Sequence, residues 1–439
     1  MSKSDRYSKR AKRRHDRSKE IKWAKLDNTA HLFPVIAGIG FSNVYRISMV
    51  LKEEIQKDLL QQALDETLPL FPVFNSRLQQ GMFWYYFEEN GKKAPKVIEE
   101  ATYPCQYIEA TGNRDYLFRV TYYKCRINLE VFHVLTDGMG GMQFLRELTY
   151  KYLRLAHPQL SALMGEALSE ETSLDTSDSY VDNYEKSAEK TYKSEEAYQL
   201  TGPSFERGKM GIIHGHLSVT QVKKKAKEYQ ASINEYLTAA LFWSIYTERL
   251  CCQPSKKPIS ASIPVNLRPY FGSKTTKNFF AMVTASFHPT RTDHTFQEIV
   301  LAVQKSLKEQ ITKEHLEQVF SYNVSNEKKI MLRAVPLLLK KPAMRYVYNA
   351  SVKANTTTIT NVGGITILEP YKPYIQNYVA FISRSKGQDL KCAISSYEDT
   401  LNVVITSVLK DPCVQKGMFC FLAREGLDVT IETNGVFYS

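Results

Sequence analysis

Between Ile127 and Leu155 the spacing of apolar residues changes its period, and a tight turn sits at the change. Ile127, Leu129, Val131 and His133 share one parity, so at a strand's period of two they face one way while Asn128 and Glu130 face the other. Further on, Phe144, Leu145, Leu148, Tyr152 and Leu153 form one stripe of a helix expected from about Gly140 to Leu155. The junction reads Phe132-His133-Val134-Leu135-Thr136-Asp137-Gly138-Met139-Gly140-Gly141, with glycines that let the chain turn sharply from strand to helix. An imidazole held at the buried end of a strand is placed to take a proton from an attacking group and later return it. His133 is therefore the candidate general base, with a hydrogen-bonded core histidine as the alternative. Asp137 suits a helix N-cap ahead of Gly138. Gly138 suits either close backbone approach or a φ above zero.

The rest of the chain alternates strand and helix patterns. Strands are expected over Asn43–Leu51, Tyr116–Tyr123 and Arg126–Val134, with a helix over Glu53–Leu68 and an aromatic, strand-like run at 81–87. In the second half, strands are expected over Gly211–Val219, Ile259–Val265, Phe279–Phe287, Ile365–Leu368, Val379–Arg384, Lys391–Tyr397 and Thr400–Val408. Ser232-Ile233-Asn234-Glu235 is a capping-box pattern that should start a buried helix ending near Arg249. The chain is long enough, at 439 residues with 43% hydrophobic residues, for two domains. Residues 166–200, acidic and rich in Ser and Thr, are the expected linker between a first lobe at 26–165 and a second at 201–439.

Charge is concentrated at one end. Residues 1–25 hold eleven Lys and Arg against Asp5, Asp16 and Glu20, most of the chain's net +12. Such a segment, nearly free of apolar residues, is expected to be a disordered arm that serves solubility or touches an anionic partner. No apolar run follows it, so it does not read as a secretory signal, and no apolar stretch reaches the roughly 20 residues of a membrane span. Seven scattered cysteines without Cys-x-x-Cys spacing read as reduced thiols of a cytoplasmic protein. Neither a phosphate-binding loop nor a Gly-x-Ser-x-Gly elbow is present. His214-Gly215-His216 puts two imidazoles on one strand face, but no ligand at fitting spacing accompanies them, so no metal site is expected.

The run His133-x-x-x-Asp137-Gly138 resembles the signature of the chloramphenicol acetyltransferase-like superfamily of coenzyme A-dependent acyltransferases and condensation domains. Other segments resemble elements of that superfamily in the same order. Trp23–Ala30 with Phe33-Pro34, and Leu70–Leu78, are similar to the bacterial alcohol acetyltransferase-like branch. Ile263-Pro264-Val265-Asn266-Leu267-Arg268 and Thr360-Asn361-Val362-Gly363-Gly364 are similar to a strand and a turn of the second half. Two features of other branches are missing: Phe132 stands where condensation domains usually have a second histidine, and no Asp-Phe-Gly-Trp-Gly element occurs near the carboxyl end.

The resemblance implies an α/β fold (α+β, two-layer) of two such lobes in tandem, with an active-site tunnel between them. It implies His133 as base, Asp137 paired with Arg268 as a structural ion pair, and Gly138 beside the substrate channel. Thr360, Asn361 and Gly363, or a backbone N–H near them, would meet the substrate, with a turn that simply lets two segments pass closely as the equal alternative. Lys274 and Lys277 would line the path of coenzyme A, with a solvated loop as the plainer alternative. The expected activity is transfer of an acyl group, acetyl first among them, from acyl-coenzyme A to a small alcohol or amine by a monomer without a permanently bound cofactor. Two rivals stand: condensation with a carrier-bound donor, against which the missing second histidine counts, and a non-catalytic binding protein that uses its basic arm.

Overall fold

The structure, a computed structural model, describes residues 23–165, 167–186, 195–328 and 335–438. The charged arm lies, through residue 22, outside the described residues. Three sheets organise the described residues. A small one contains β1 (Trp23–Lys25), β4 (Tyr85–Glu89) and β3 (Ser76–Gln80) in the order β1-β4-β3. A five-stranded sheet runs β12-β2-β7-β6-β5, built from β2 (Val44–Leu51), β5 (Ile98–Glu99), β6 (Phe118–Tyr123), β7 (Arg126–Phe132) and β12 (Ile375–Ile382). The third has seven strands in the order β10-β9-β11-β13-β14-β8-β15: β8 (Gly211–Ser218), β9 (Ile259–Asn266), β10 (Phe280–Phe287), β11 (Thr357–Gly364), β13 (Leu390–Tyr397), β14 (Thr400–Ser407) and β15 (Thr430–Thr433). Helices pack against both larger sheets, giving a mixed α/β molecule with two apolar cores.

The strand that carries the histidine lies inside the five-stranded sheet. Ile127, Leu129 and Val131 are fully buried on one face, as the alternation predicts. Asn128 and Glu130, on the other face, are buried too, so that face is not a solvent face. Glu130 meets Arg46 on β2 and Arg119 on β6, and Asn128 accepts from Ser48 at 2.8 Å. Paired charges and matched amides make burial of both faces tolerable.

β12 comes from the second half of the sequence yet completes this first sheet, pairing antiparallel with β2 from Tyr45↔Ile382 to Leu51↔Ile375. Its backbone is also held from the seven-stranded sheet. Ser395 Oγ and Asn402 Nδ2 donate to the carbonyl oxygen of Tyr378, and Thr406 Oγ1 donates to that of Ile382, at 2.9 to 3.1 Å. β12 is thus the seam between the two sheets.

Local details follow the chemistry of the segments. The helix Ile233–Glu248 is apolar on nearly every side and mostly buried, and Ser232 and Glu235 close its capping box. The strand expected at 365–368 instead lies earlier, at β11, where Thr357, Thr358 and Ile359 supply β-branched residues. Part of the expected linker is firmly packed: Tyr180 is 2% exposed, and its hydroxyl donates to Phe280 O at 2.7 Å while accepting from Thr29 Oγ1 at 3.0 Å.

Candidate active site

β7 ends at Phe132, and the next residue, His133, is fixed by its backbone N–H, which donates to Asn43 O at 3.0 Å. Its ring stacks on Phe33, with centroids 4.8 Å apart and planes 22° from parallel. Tyr45 meets it edge to face, with centroids 5.1 Å apart, and the Phe280 centroid is 5.7 Å away. Phe33 and Tyr45 come from the first half of the chain and Phe280 from the second, so both halves frame the imidazole. The residue nevertheless keeps partial access to solvent.

The hydrogen bonds around His133 define its tautomer. Nδ1 lies 3.1 Å from Asn278 Oδ1. Asn278 Nδ2 donates to Asp27 Oδ2 at 2.9 Å and to His133 O at 3.2 Å, which fixes the amide with its oxygen toward the ring. Nδ1 therefore carries the hydrogen, and Nε2 carries the lone pair. Burial lowers the imidazole below its ordinary value, against the opposing pull of the Asp137 carboxylate, so the ring is neutral at physiological pH. Asp27 is itself fully buried, and burial pushes its carboxyl up to about 7 even though Asn278 and the Ala30 N–H, at 2.8 Å, favour its ionised form.

Asp137 does two jobs at once. As the N-cap of the helix Gly138–Ala156, its Oδ1 accepts from Met139 N and Gly140 N, each at 3.2 Å. The same carboxylate faces Arg268 with two bonds, Nη1 to Oδ2 at 2.8 Å and Nη2 to Oδ1 at 3.0 Å, and accepts from Phe279 N at 3.0 Å. Arg268 spends its remaining donors on Thr275 O, Lys277 O and Asn266 Oδ1. A bidentate pair so shielded holds its two segments in one register. It binds the turn after β7 to the loop between β9 and β10.

The glycines of the turn are needed for approach rather than for φ. A Cβ on Gly140 would lie 2.0 Å from Thr136 Oγ1 and 2.4 Å from Thr276 O; one on Gly141 would lie 2.5 Å from the Tyr45 hydroxyl. Gly138 is not among the residues of positive φ, which removes that explanation for it. Its neighbour is Val362, whose Cγ1 would stand 3.2 Å from an added Cβ.

Val362 brings the end of β11 against the histidine turn, but the side chains named there from sequence behave differently. Asn361 is exposed and turns back to accept from Gly363 N at 2.9 Å, and Gly363 has φ 77°. This is a turn-forming use of both residues, which engages the Asn361 oxygen within the turn. Thr360 is partly buried on β11 beside Ala393. Of the two lysines, Lys274 is exposed, whereas Lys277 is 7% exposed and donates to Lys25 O at 3.2 Å. Lys277 is turned inward and helps offset Asp27, a use of its charge that the sequence did not indicate.

Asn278, Asp27 and Tyr45 were not singled out from sequence, although each stands in or beside a segment that was, and Phe33 was named only with Pro34 and without a role. Lys391 was also missed. It is 8% exposed on β13 and bonded to Ser385 Oγ at 2.6 Å; burial lowers its amine to about 8, and its charge is felt at His133. A groove of about 860 Å³ lies elsewhere, between the helix Lys57–Thr67 and residues 89–98, and shares no lining residue with the His133 cluster.

Neither a protein-family model nor a curated protein matches the sequence. Solved structures do. A trichothecene 15-O-acetyltransferase from Fusarium sporotrichioides is 11% identical with a TM-score of 0.59, over 90% of this chain and 93% of that one. TRI101 of the same fungus, solved with coenzyme A and T-2, is 10% identical with a TM-score of 0.58, over 93% and 99%. The condensation domain of the monacolin K polyketide synthase MokA is 10% identical with a TM-score of 0.56, over 92% and 97%. The fold is theirs. At these identities the likeness is one of architecture, and it covers acetyltransferases and condensation domains alike.

Proposed function

We propose that this chain transfers an acyl group, acetyl first among them, from coenzyme A to a hydroxyl-bearing acceptor, with His133 Nε2 as the general base. The observation that carries the proposal is an imidazole framed by rings from both halves and fixed in one tautomer by Asn278, so that Nε2 carries the lone pair. The fold shared with acetyltransferases adds support.

In this mechanism the acceptor hydroxyl gives its proton to Nε2 as its oxygen attacks the thioester carbonyl. A tetrahedral oxyanion forms, then collapses with cleavage of the carbon–sulfur bond, and the imidazolium returns the proton to the departing thiolate. Phe33, Tyr45 and Phe280 surround the ring with apolar surface, which limits competing attack by water. Asp137 and Arg268 touch neither reactant; they hold the turn that presents His133. The donor reaches the ring through a passage between the lobes, with Thr360 and Lys274 as candidates for its walls. The unpaired state of all seven cysteines suits a cytoplasmic setting.

Incubation with acetyl-coenzyme A and a panel of alcohols and amines, with free thiol recorded, tests this. Acceptor-dependent thiol release is expected, and His133→Ala should lower it by roughly 10²–10⁴-fold. A variant as active as the parent removes the mechanism. A second reading, condensation from a carrier-bound donor, is favoured by the likeness to the MokA condensation domain. Turnover with a phosphopantetheinylated carrier but not with coenzyme A thioesters would select it.

A further inference from the structure

His214 and His216 stand two apart on β8 and project from the same face. Asn402 on the adjacent strand β14 meets both rings with one oxygen: Oδ1 lies 3.0 Å from His214 Nε2 and 3.0 Å from His216 Nδ1. The amide has no freedom to reverse. Its Nδ2 donates to Tyr378 O at 2.9 Å and to Asn377 Oδ1 at 2.8 Å, and Asn377 Oδ1 is identified in turn because it accepts from Tyr378 N at 2.8 Å. A carbonyl oxygen facing two imidazole nitrogens requires a hydrogen on each. The opposite nitrogens, His214 Nδ1 and His216 Nε2, are therefore lone pairs.

Both lone pairs face a third acceptor. Glu432 lies opposite His214 in the register of β15 and β8, and its Oε2 is 3.5 Å from His216 Nε2 and 4.0 Å from His214 Nδ1. His216 Nε2 is buried and makes no hydrogen bond. Three electron-rich atoms, all within 4.8 Å of one another, thus converge with no donor among them.

We propose that His214, His216 and Glu432 bind a divalent transition-metal ion of the zinc class, with Asn402 orienting both imidazoles and a fourth position left to water. Two nitrogens and one carboxylate suit zinc, cobalt or nickel better than calcium or magnesium. Bonds of about 2.0–2.1 Å place tetrahedral ligands about 3.4 Å apart. The Glu432 side chain, 71% exposed, has the freedom to make that small contraction. The amide behind the two rings serves as the outer partner that metal-bound histidines characteristically have. Sequence spacing did not reveal the site because Glu432 arrives from the far end of the chain, on an edge strand that the ion would fasten to β8.

The test uses the full chain freed of metal by a chelator. Calorimetric titration with Zn²⁺ should show one equivalent bound, and Co²⁺ should give the intense visible bands of a four-coordinate ion. Glu432→Gln, a surface change that leaves the fold intact, and His216→Ala should each weaken binding about tenfold or more, whereas His288→Ala, at an exposed histidine, should not. Absence of stoichiometric binding, or binding untouched by both variants, overturns the proposal. So does an NMR titration in which His216 is protonated against Glu432 at neutral pH while Zn²⁺ remains unbound.

Discussion

At the scale of single residues, the proposed chemistry rests on the direction of one amide. Asn278 reads Asp27 and the His133 carbonyl with its nitrogen and so presents its oxygen to Nδ1. Asn278→Ala should leave the protein folded but free the tautomer, lowering kcat on the order of 10²-fold with a smaller change in KM. Because burial lowers the His133 imidazole below 6.5, the acid limb of kcat/KM should fall below that pH and the rate should be flat at neutrality. Asp27 runs the other way: its carboxyl rises from 3.8 to about 7, so the folded state holds the proton more tightly than the unfolded chain. Stability from this group is complete at low pH and declines as pH rises from about 4 through 7. In Asp27→Asn the melting temperature should therefore fall less between about pH 5 and pH 8 than in the parent, as calorimetry at the two values will read.

At the scale of elements, the passage from β7 to the helix Gly138–Ala156 was legible because period two gives way to a helical stripe within a few residues. His133 and Asp137 came with it. Asn278 and Asp27 were not legible: they are short polar residues whose role depends on partners far apart in sequence, and nothing in their neighbourhood has a period. Asn361 shows how alike a turn residue and a substrate-facing residue look in sequence: only the structure shows its oxygen accepting from the Gly363 N–H. The approach of elements yields its own prediction. Gly140→Ala puts a methyl into Thr136 and the Thr276 carbonyl, and should cost about 1–3 kcal/mol or more in denaturant unfolding. Gly138→Ala meets only the Val362 side chain and should cost much less.

For the molecule as a whole, the Asp137–Arg268 pair and β12 are two of the connections that join the halves around the site. Breaking the first with Arg268→Ala leaves a buried carboxylate without its partner and should cost about 3–5 kcal/mol in urea or thermal unfolding. The second was hidden from sequence because pairing of β12 with β2 links residues more than three hundred positions apart, and only tertiary structure selects such a partner. A fragment ending near residue 200 should consequently expose the edge of β2 and aggregate, as light scattering of the purified fragment will show.

β12 also bears on how such a protein is modified. Since residues 375–382 finish a sheet begun by residues 44–51, the halves are not modules to be traded. A chimera joined at the middle of the chain inherits a sheet and its closing strand from different parents, with mismatched side chains beside the imidazole. Changes of acceptor are better sought by substituting wall residues in place than by grafting one lobe onto another.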